Sequence, residues 1–200
     1  MENNQIYKNR ALASLEGKWT NGVVATLIVF IISGVVSSVI TAPMGETMGA
    51  SVSSIWSLLC LPLSWGLTVY FLNLIRGLDI NYERLFDGYK DFVRIFLAEL
   101  LIGICVFVGC LLFLVPGVIV GLMLSQTAFI LKDNPQMSAT DAMKLSKQMM
   151  DGHKSELFWL MLSFIGWALL AMLTLGLGLL LLAPYFYATM AHYYEDLKAA

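Results

Sequence analysis

Three short polar stretches interrupt a greasy chain: "EGK" at Glu16–Lys18, "DGYK" at Asp87–Lys90 and "DGHK" at Asp151–Lys154. In each, an acid and a glycine (Gly17, Gly88, Gly152) are followed by a lysine (Lys18, Lys90, Lys154), and a long apolar run begins. Two kinds of chemistry suit such a corner. Glycine permits a sharp bend, and a lysine at the end of a surface helix complements the helix dipole and reaches up to lipid headgroups. Alternatively, a lysine beside the N-terminus of the next helix attracts phosphate, which makes Lys18, Lys90 and Lys154 candidate contacts for anionic lipid or a phosphorylated ligand.

Other polar residues invite the same question. Glu99 lies inside an apolar run, where an ionisable group is costly and often functional; a salt bridge to Arg94 or Lys90 near the interface is the simpler expectation. Gln126 is expected to hydrogen-bond between helices. Together Glu99 and Gln126 form the candidate intramembrane polar site. Asn73 is expected as a surface or capping group. Pro184 should kink its helix, for packing or for gating. Tyr185, Tyr187, Tyr193 and Tyr194, with His192, fit packing and an interfacial aromatic belt. His153 and His192 stand in no metal-binding spacing, and no nucleophile elbow or phosphate loop occurs. No cofactor, metal or catalytic set is expected. Cys60, Cys105 and Cys110 lie in apolar runs and are expected to be small buried hydrophobes.

The elements that carry these residues follow from composition. The chain has 200 residues, 58% hydrophobic and 13% charged, with a formal net charge of -2. A soluble domain is nearer a quarter charged. The surplus of apolar side chains is suited to lipid, and the charge balance leaves no footprint for nucleic acid. The polar start has no leader-type apolar core, so the first apolar run is expected to act as the insertion signal.

Crossing a bilayer takes about 20 mainly apolar residues. Four charge-poor stretches qualify: Trp19 to Gly45, Thr47 to Ile75, Leu100 to Leu131 and Leu157 to Tyr194. The last two are too long for one crossing, and each is broken near its middle, by "LVPGV" (Leu114 to Val118) and "LTLGLG" (Leu173 to Gly178). Proline removes a backbone donor and glycine permits a helical reversal. Six helices result, at roughly 21–41, 52–75, 92–114, 117–133, 156–174 and 178–194. With six crossings every lysine and arginine falls on one side, and the opposite loops carry only Glu46. The positive-inside rule then makes both termini cytoplasmic.

Each corner follows an amphipathic stretch. The clearest is "SATDAMKLSKQMM", with Ser138 as N-cap and Ala139, Ala142, Met143, Leu145, Ser146, Met149 and Met150 on one face. The fold class read from this is an all-α polytopic membrane bundle of six transmembrane helices in three hairpins, with short cytoplasmic amphipathic helices. It forms a single integral membrane domain over 1–200, in units of about 1–76, 77–133 and 134–200 by the spacing of the corners. Triplication and local convergence on a good corner both explain the likeness of the units.

"LFDGYKDF", "LVPGVIVGL", "ILKDNPQMSATDAMKLSKQMMDGHKSELF", "LSFIGWALLAMLTLGLGLL" and "APYFYA" together resemble the domain-of-unknown-function 975 family of bacterial integral membrane proteins. "LEGKW" and "GLTVYFLNLIRG" fit the same pattern, so the resemblance runs over nearly the whole chain. It implies a multi-pass protein of the bacterial inner membrane and transfers no activity, ligand or catalytic residue. The function expected is non-enzymatic, as an accessory or scaffold acting through membrane lipids, another copy of itself or another membrane protein. The alternative is a small oligomeric transporter or channel, since interrupted helices line transport sites.

Overall fold

The computed structural model describes residues 4–174 and 176–199, and among them the regular elements are helical, with no strand. The chain runs α1 (Asn4–Leu15), α2 (Trp19–Thr41), α3 (Glu46–Ile75), α4 (Phe92–Leu112), α5 (Leu114–Asp133), α6 (Ala139–Met149), α7 (Lys154–Leu173) and α8 (Leu177–Ala199). Between α3 and α4 lie a 3-10 segment, Tyr82–Phe86, and a single helical turn, Asp87–Lys90. Among the described residues five helices are long and apolar enough to cross a membrane: α2, α3, α4, α5 and α7. The helix α8 has 23 residues but is not among the five; His192, Glu195, Asp196 and Lys198 make its second half polar.

Interruptions in these helices have local causes. α3 turns at Cys60, where Pro62 at the start of the next segment lacks an N–H and so costs no hydrogen bond. α2 contains a π-helical turn, Ile31–Val35. The Nε1–H of Trp56, from α3, donates to the Ile32 carbonyl there at 3.0 Å. An unpaired carbonyl at that depth in lipid would cost several kcal/mol, so Trp56 makes the irregular turn tolerable. The break after α4 falls at Phe113 alone (φ -164, ψ 155), not at Pro116 and Gly117 as the sequence suggests. Pro116 sits in the first turn of α5, where helical N–H groups are unpaired anyway. Gly117 packs directly on Cys110, so the chain folds back at close quarters. α7 and α8 do likewise: the Gly178 N–H donates to Thr174 Oγ1 at 2.8 Å, and a Cβ on Gly178 would meet Ala171.

The buried side chains are concentrated in the second half of α3, the end of α5, the start of α7 and the second half of α8; Tyr70, Phe71, Phe129, Tyr193 and Tyr194 are almost wholly enclosed. α1 adds Ala11 and Leu15, and α6 adds Ala142. The opposite ends are bare: Leu114 is 74% exposed, Leu173 81% and Val39 67%. Lipid explains this. Between helices in hydrocarbon there is no hydrophobic gain, because lipid tails are as apolar as leucine. Only close backbone contacts and polar bonds hold helices together there, and at the bare ends these lie mainly within consecutive pairs.

The glycine contact between α4 and α5 is therefore a weight-carrying one. Gly117→Leu should lower the thermal stability in detergent by about 1–3 kcal/mol through overpacking. Gly103→Ala, where a Cβ meets nothing within 4 Å, should leave stability equal or raise it by up to about 1 kcal/mol.

Candidate functional site

The end of the molecule that carries α1 and the second half of α8 is tied together by one carboxylate. Asp133, the last residue of α5, accepts from Arg76 through both oxygens, Nη1 at 2.6 Å and Nη2 at 2.8 Å. It also accepts from the Tyr194 hydroxyl at 3.0 Å and from Lys198 Nζ at 2.6 Å. Arg76, just past α3, turns its Nε to Glu195 at 2.7 Å. The planar guanidinium suits this double engagement, which a lysine could not reproduce. The Asp133 hydrogen bonds hold the Arg76 pKa above its ordinary value, against the effect of burial. Phe129 stacks on Tyr194 with ring centroids 4.9 Å apart.

A second arginine closes the end of α5. Arg94 Nη1 donates to the carbonyls of Leu131, Asn134 and Met137 at 3.4, 3.2 and 3.2 Å, and its Nε binds Asp91 at 2.5 Å. The Leu131 carbonyl, in the last turn of α5, has no intrahelical donor of its own, and the Asn134 carbonyl also accepts from the Met137 N–H at 3.0 Å. α1 is strapped across α8 by Arg10 to Asp196 (2.6 Å), by the pair Ser14 Oγ and His192 Nε2 (2.8 Å), and by the edge of Tyr7 on Tyr193. Lys8 is buried, with 6% exposure. Its ammonium donates to the Ser163 carbonyl at 3.3 Å and lies 4.6 Å from the centre of the Phe164 ring. No carboxylate bonds to it among the described residues, and burial lowers its pKa.

The three corners differ from one another. Gly17 (φ 73) and Gly152 (φ 83) take the left-handed conformation that ends a helix, as the sequence suggests. Gly88 does not; it lies inside the turn Asp87–Lys90, and its bare Cα lets the Pro62 carbonyl approach. Lys90 is paired with Asp87 at 2.7 Å and Lys154 with Asp151 at 2.9 Å, each three residues apart. Lys18 donates to the Leu74 carbonyl at 3.4 Å. Each corner lysine thus has a partner from the protein itself.

Several expectations need correction. Glu99 makes no salt bridge or hydrogen bond among the described residues; Arg94 is held by Asp91 and Lys90 by Asp87. Gln126 is fully buried, but the bond between helices runs through its backbone: its N–H donates to Ser146 Oγ at 3.2 Å, and Ser146 donates to the Met123 carbonyl at 2.8 Å. Among the described residues the Gln126 side chain donates only to Ser125, and its Oε1 has no partner. Asn73 is buried, not a surface group. Cys60 is buried as expected, but Cys105 and Cys110 are exposed, and all three are free thiols. Pro184 lies inside α8, and its ring stands against Gly22 of α2. Tyr193 and Tyr194 belong to the core, not to a belt.

The residues missed by sequence reasoning are Arg76, Asp133, Glu195, Lys198 and Lys8. Their partners stand 57 to 155 positions away, so no local pattern marks them. Arg76→Met should destabilise the protein by about 3 kcal/mol by leaving Asp133 with Tyr194 and Lys198 alone and Glu195 without its arginine, and adding Asp133→Met should recover part of the loss. Chemical denaturation of the single and double variants measures both. Lys8→Met should be neutral or stabilising within about 1.5 kcal/mol, since an apolar chain of similar size fills the same space.

Neither a curated protein nor a solved structure matches the chain significantly. A family model does match, that of proteins of unknown function designated DUF975, in two overlapping segments at residues 1–120 and 106–200. Between them the segments take in the whole sequence, and the chain belongs to this family.

Proposed function

We propose that the chain is a six-span protein of the bacterial cytoplasmic membrane, built from three hairpins with both termini in the cytoplasm, and that it acts without catalysis through contacts with lipid. Support for an even number of crossings comes from α1. Its bonds to Asp196 and His192 bring α1 beside the second half of α8, which fits an even number of crossings better than five. On this reading the apolar first half of α8 completes the sixth span, and the amphipathic α6 lies at the cytoplasmic interface.

One observation carries the lipid reading: the helix pairs are packed at one end and leave apolar grooves between them. A groove of about 410 Å³ is lined by Trp19 of α2, Trp167 and Leu170 of α7, and Leu181 and Tyr185 of α8. Another, of about 470 Å³, lies between the α4–α5 pair and α7, lined by Val106, Gly121, Leu122, Phe158 and Leu162. Hydrocarbon chains suit such walls and water does not. The transporter reading keeps one specific support, the unpartnered Glu99 carboxylate and the buried Gln126 Oε1, since unpaired polar groups at membrane depth mark transport paths.

Proteoliposomes decide between the two. The lipid reading predicts purified protein that retains phospholipid and liposomes that stay tight to protons, sodium and small metabolites. Flux abolished by Glu99→Gln or Gln126→Leu would establish the transporter instead.

A further inference from the structure

α6 is held against the bundle at one rotation. Ser146 bonds to the backbone of α5, and Ala139 and Ala142 are buried. That setting turns a second stripe of the helix, Thr140, Met143, Lys144 and Lys147, along the flank of the α4–α5 pair. The stripe and two leucines, Leu101 of α4 and Leu124 of α5, line a shallow cleft of about 290 Å³. Both leucines lie nine residues from the polar ends of their helices, roughly 14 Å at 1.5 Å per residue. The walls of the cleft are almost wholly carbon, so Lys144 and Lys147 line it with their methylene stems.

Lys144 is paired as the corner lysines Lys90 and Lys154 are, and Lys147 is the less committed of the two. Lys144 has only the exposed i,i+3 partner Asp141, at 3.1 Å, with side-chain exposures of 73% and 58%. Lys147 has no hydrogen bond or ion pair among the described residues, and Asp151, nearby in sequence, is bonded to Lys154. Two like charges one turn apart repel each other and favour a shared anion. Beyond Leu101, α4 continues with exposed Ile104 and Val108 in the same stripe, a bed for an acyl chain.

We propose that this cleft binds an anionic phospholipid of the cytoplasmic leaflet. Lys144 and Lys147 take its phosphate, Thr140 offers a hydroxyl beside them, and one acyl chain lies along Leu101, Ile104 and Val108. The assignment rests on the lipid-contact reading above and names the site at which it is headgroup-selective. A neutral phospholipid would leave the lysines uncompensated, so selectivity is expected for net negative headgroups.

The test uses full-length protein exchanged into vesicles of equal phosphatidylglycerol and phosphatidylcholine, re-extracted and counted for bound lipid by native mass spectrometry. Wild type should retain phosphatidylglycerol in preference. Lys144→Gln with Lys147→Gln should reduce that preference about tenfold or more, while Lys144→Arg with Lys147→Arg keeps it. Leu101→Trp fills the cleft without changing charge and should also lower retention, which a diffuse surface charge would not. Circular dichroism and melting temperature check that each variant is folded. Unchanged preference in the double glutamine variant, or no headgroup preference in wild type, overturns the site while the lipid reading stands. Wild type that keeps no phospholipid at all overturns the lipid reading itself.

Discussion

Asp133 is the point on which the polar end of the molecule depends. A carboxylate at the end of a membrane helix, with its side chain only 11% exposed, cannot remain charged without partners. Arg76, Tyr194 and Lys198 meet that need, and in doing so they fix where α3, α5 and α8 finish relative to one another. The consequences spread from there. With α8 fixed, α1 has a surface on which Arg10, Ser14 and Tyr7 can dock. With α5 fixed, its last carbonyls lie where Arg94 can cap them, and Ser146 can seat α6 on its flank.

Among the described residues no comparable constraint acts at the other end. There the helices carry apolar side chains into a solvent of apolar chains, and separation costs little. Consecutive helices still touch through Gly117 on Cys110 and Gly178 on Ala171, but one pair has little to bind the next. The result is a bundle braced at one face and open at the other. An open apolar face in lipid is filled by lipid, so the same asymmetry that follows from Asp133 supplies the grooves on which the functional proposal rests.

Much of this was legible in the sequence, and the division has a physical basis. Helices in lipid must satisfy their own backbone, so length and hydropathy alone mark α2, α4 and α7. The N-cap at Ser138 and the left-handed Gly17 and Gly152 are also local matters and could be read from neighbours. Gly88 could not, because its reason for being glycine is the Pro62 carbonyl of another helix. Nor could the Arg76–Asp133 pair or the burial of Lys8, since each depends on which helix ends meet. Glu99 and Gln126 were found by type, but their surroundings were not; Arg94 and Lys90, expected to serve Glu99, bind acids three residues from themselves.

The central claim, a bundle packed at one end with lipid between its helix pairs at the other, is tested most directly by fluorescence. Two variants each keep one tryptophan, Trp167 or Trp65, and are placed in bilayers of phospholipid brominated along its acyl chains. Trp167, 56% exposed and lining the groove beside α2, should be strongly quenched; Trp65, 5% exposed, should be nearly unaffected. Equal protection of both would mean that the groove is closed by protein, and would contradict the account.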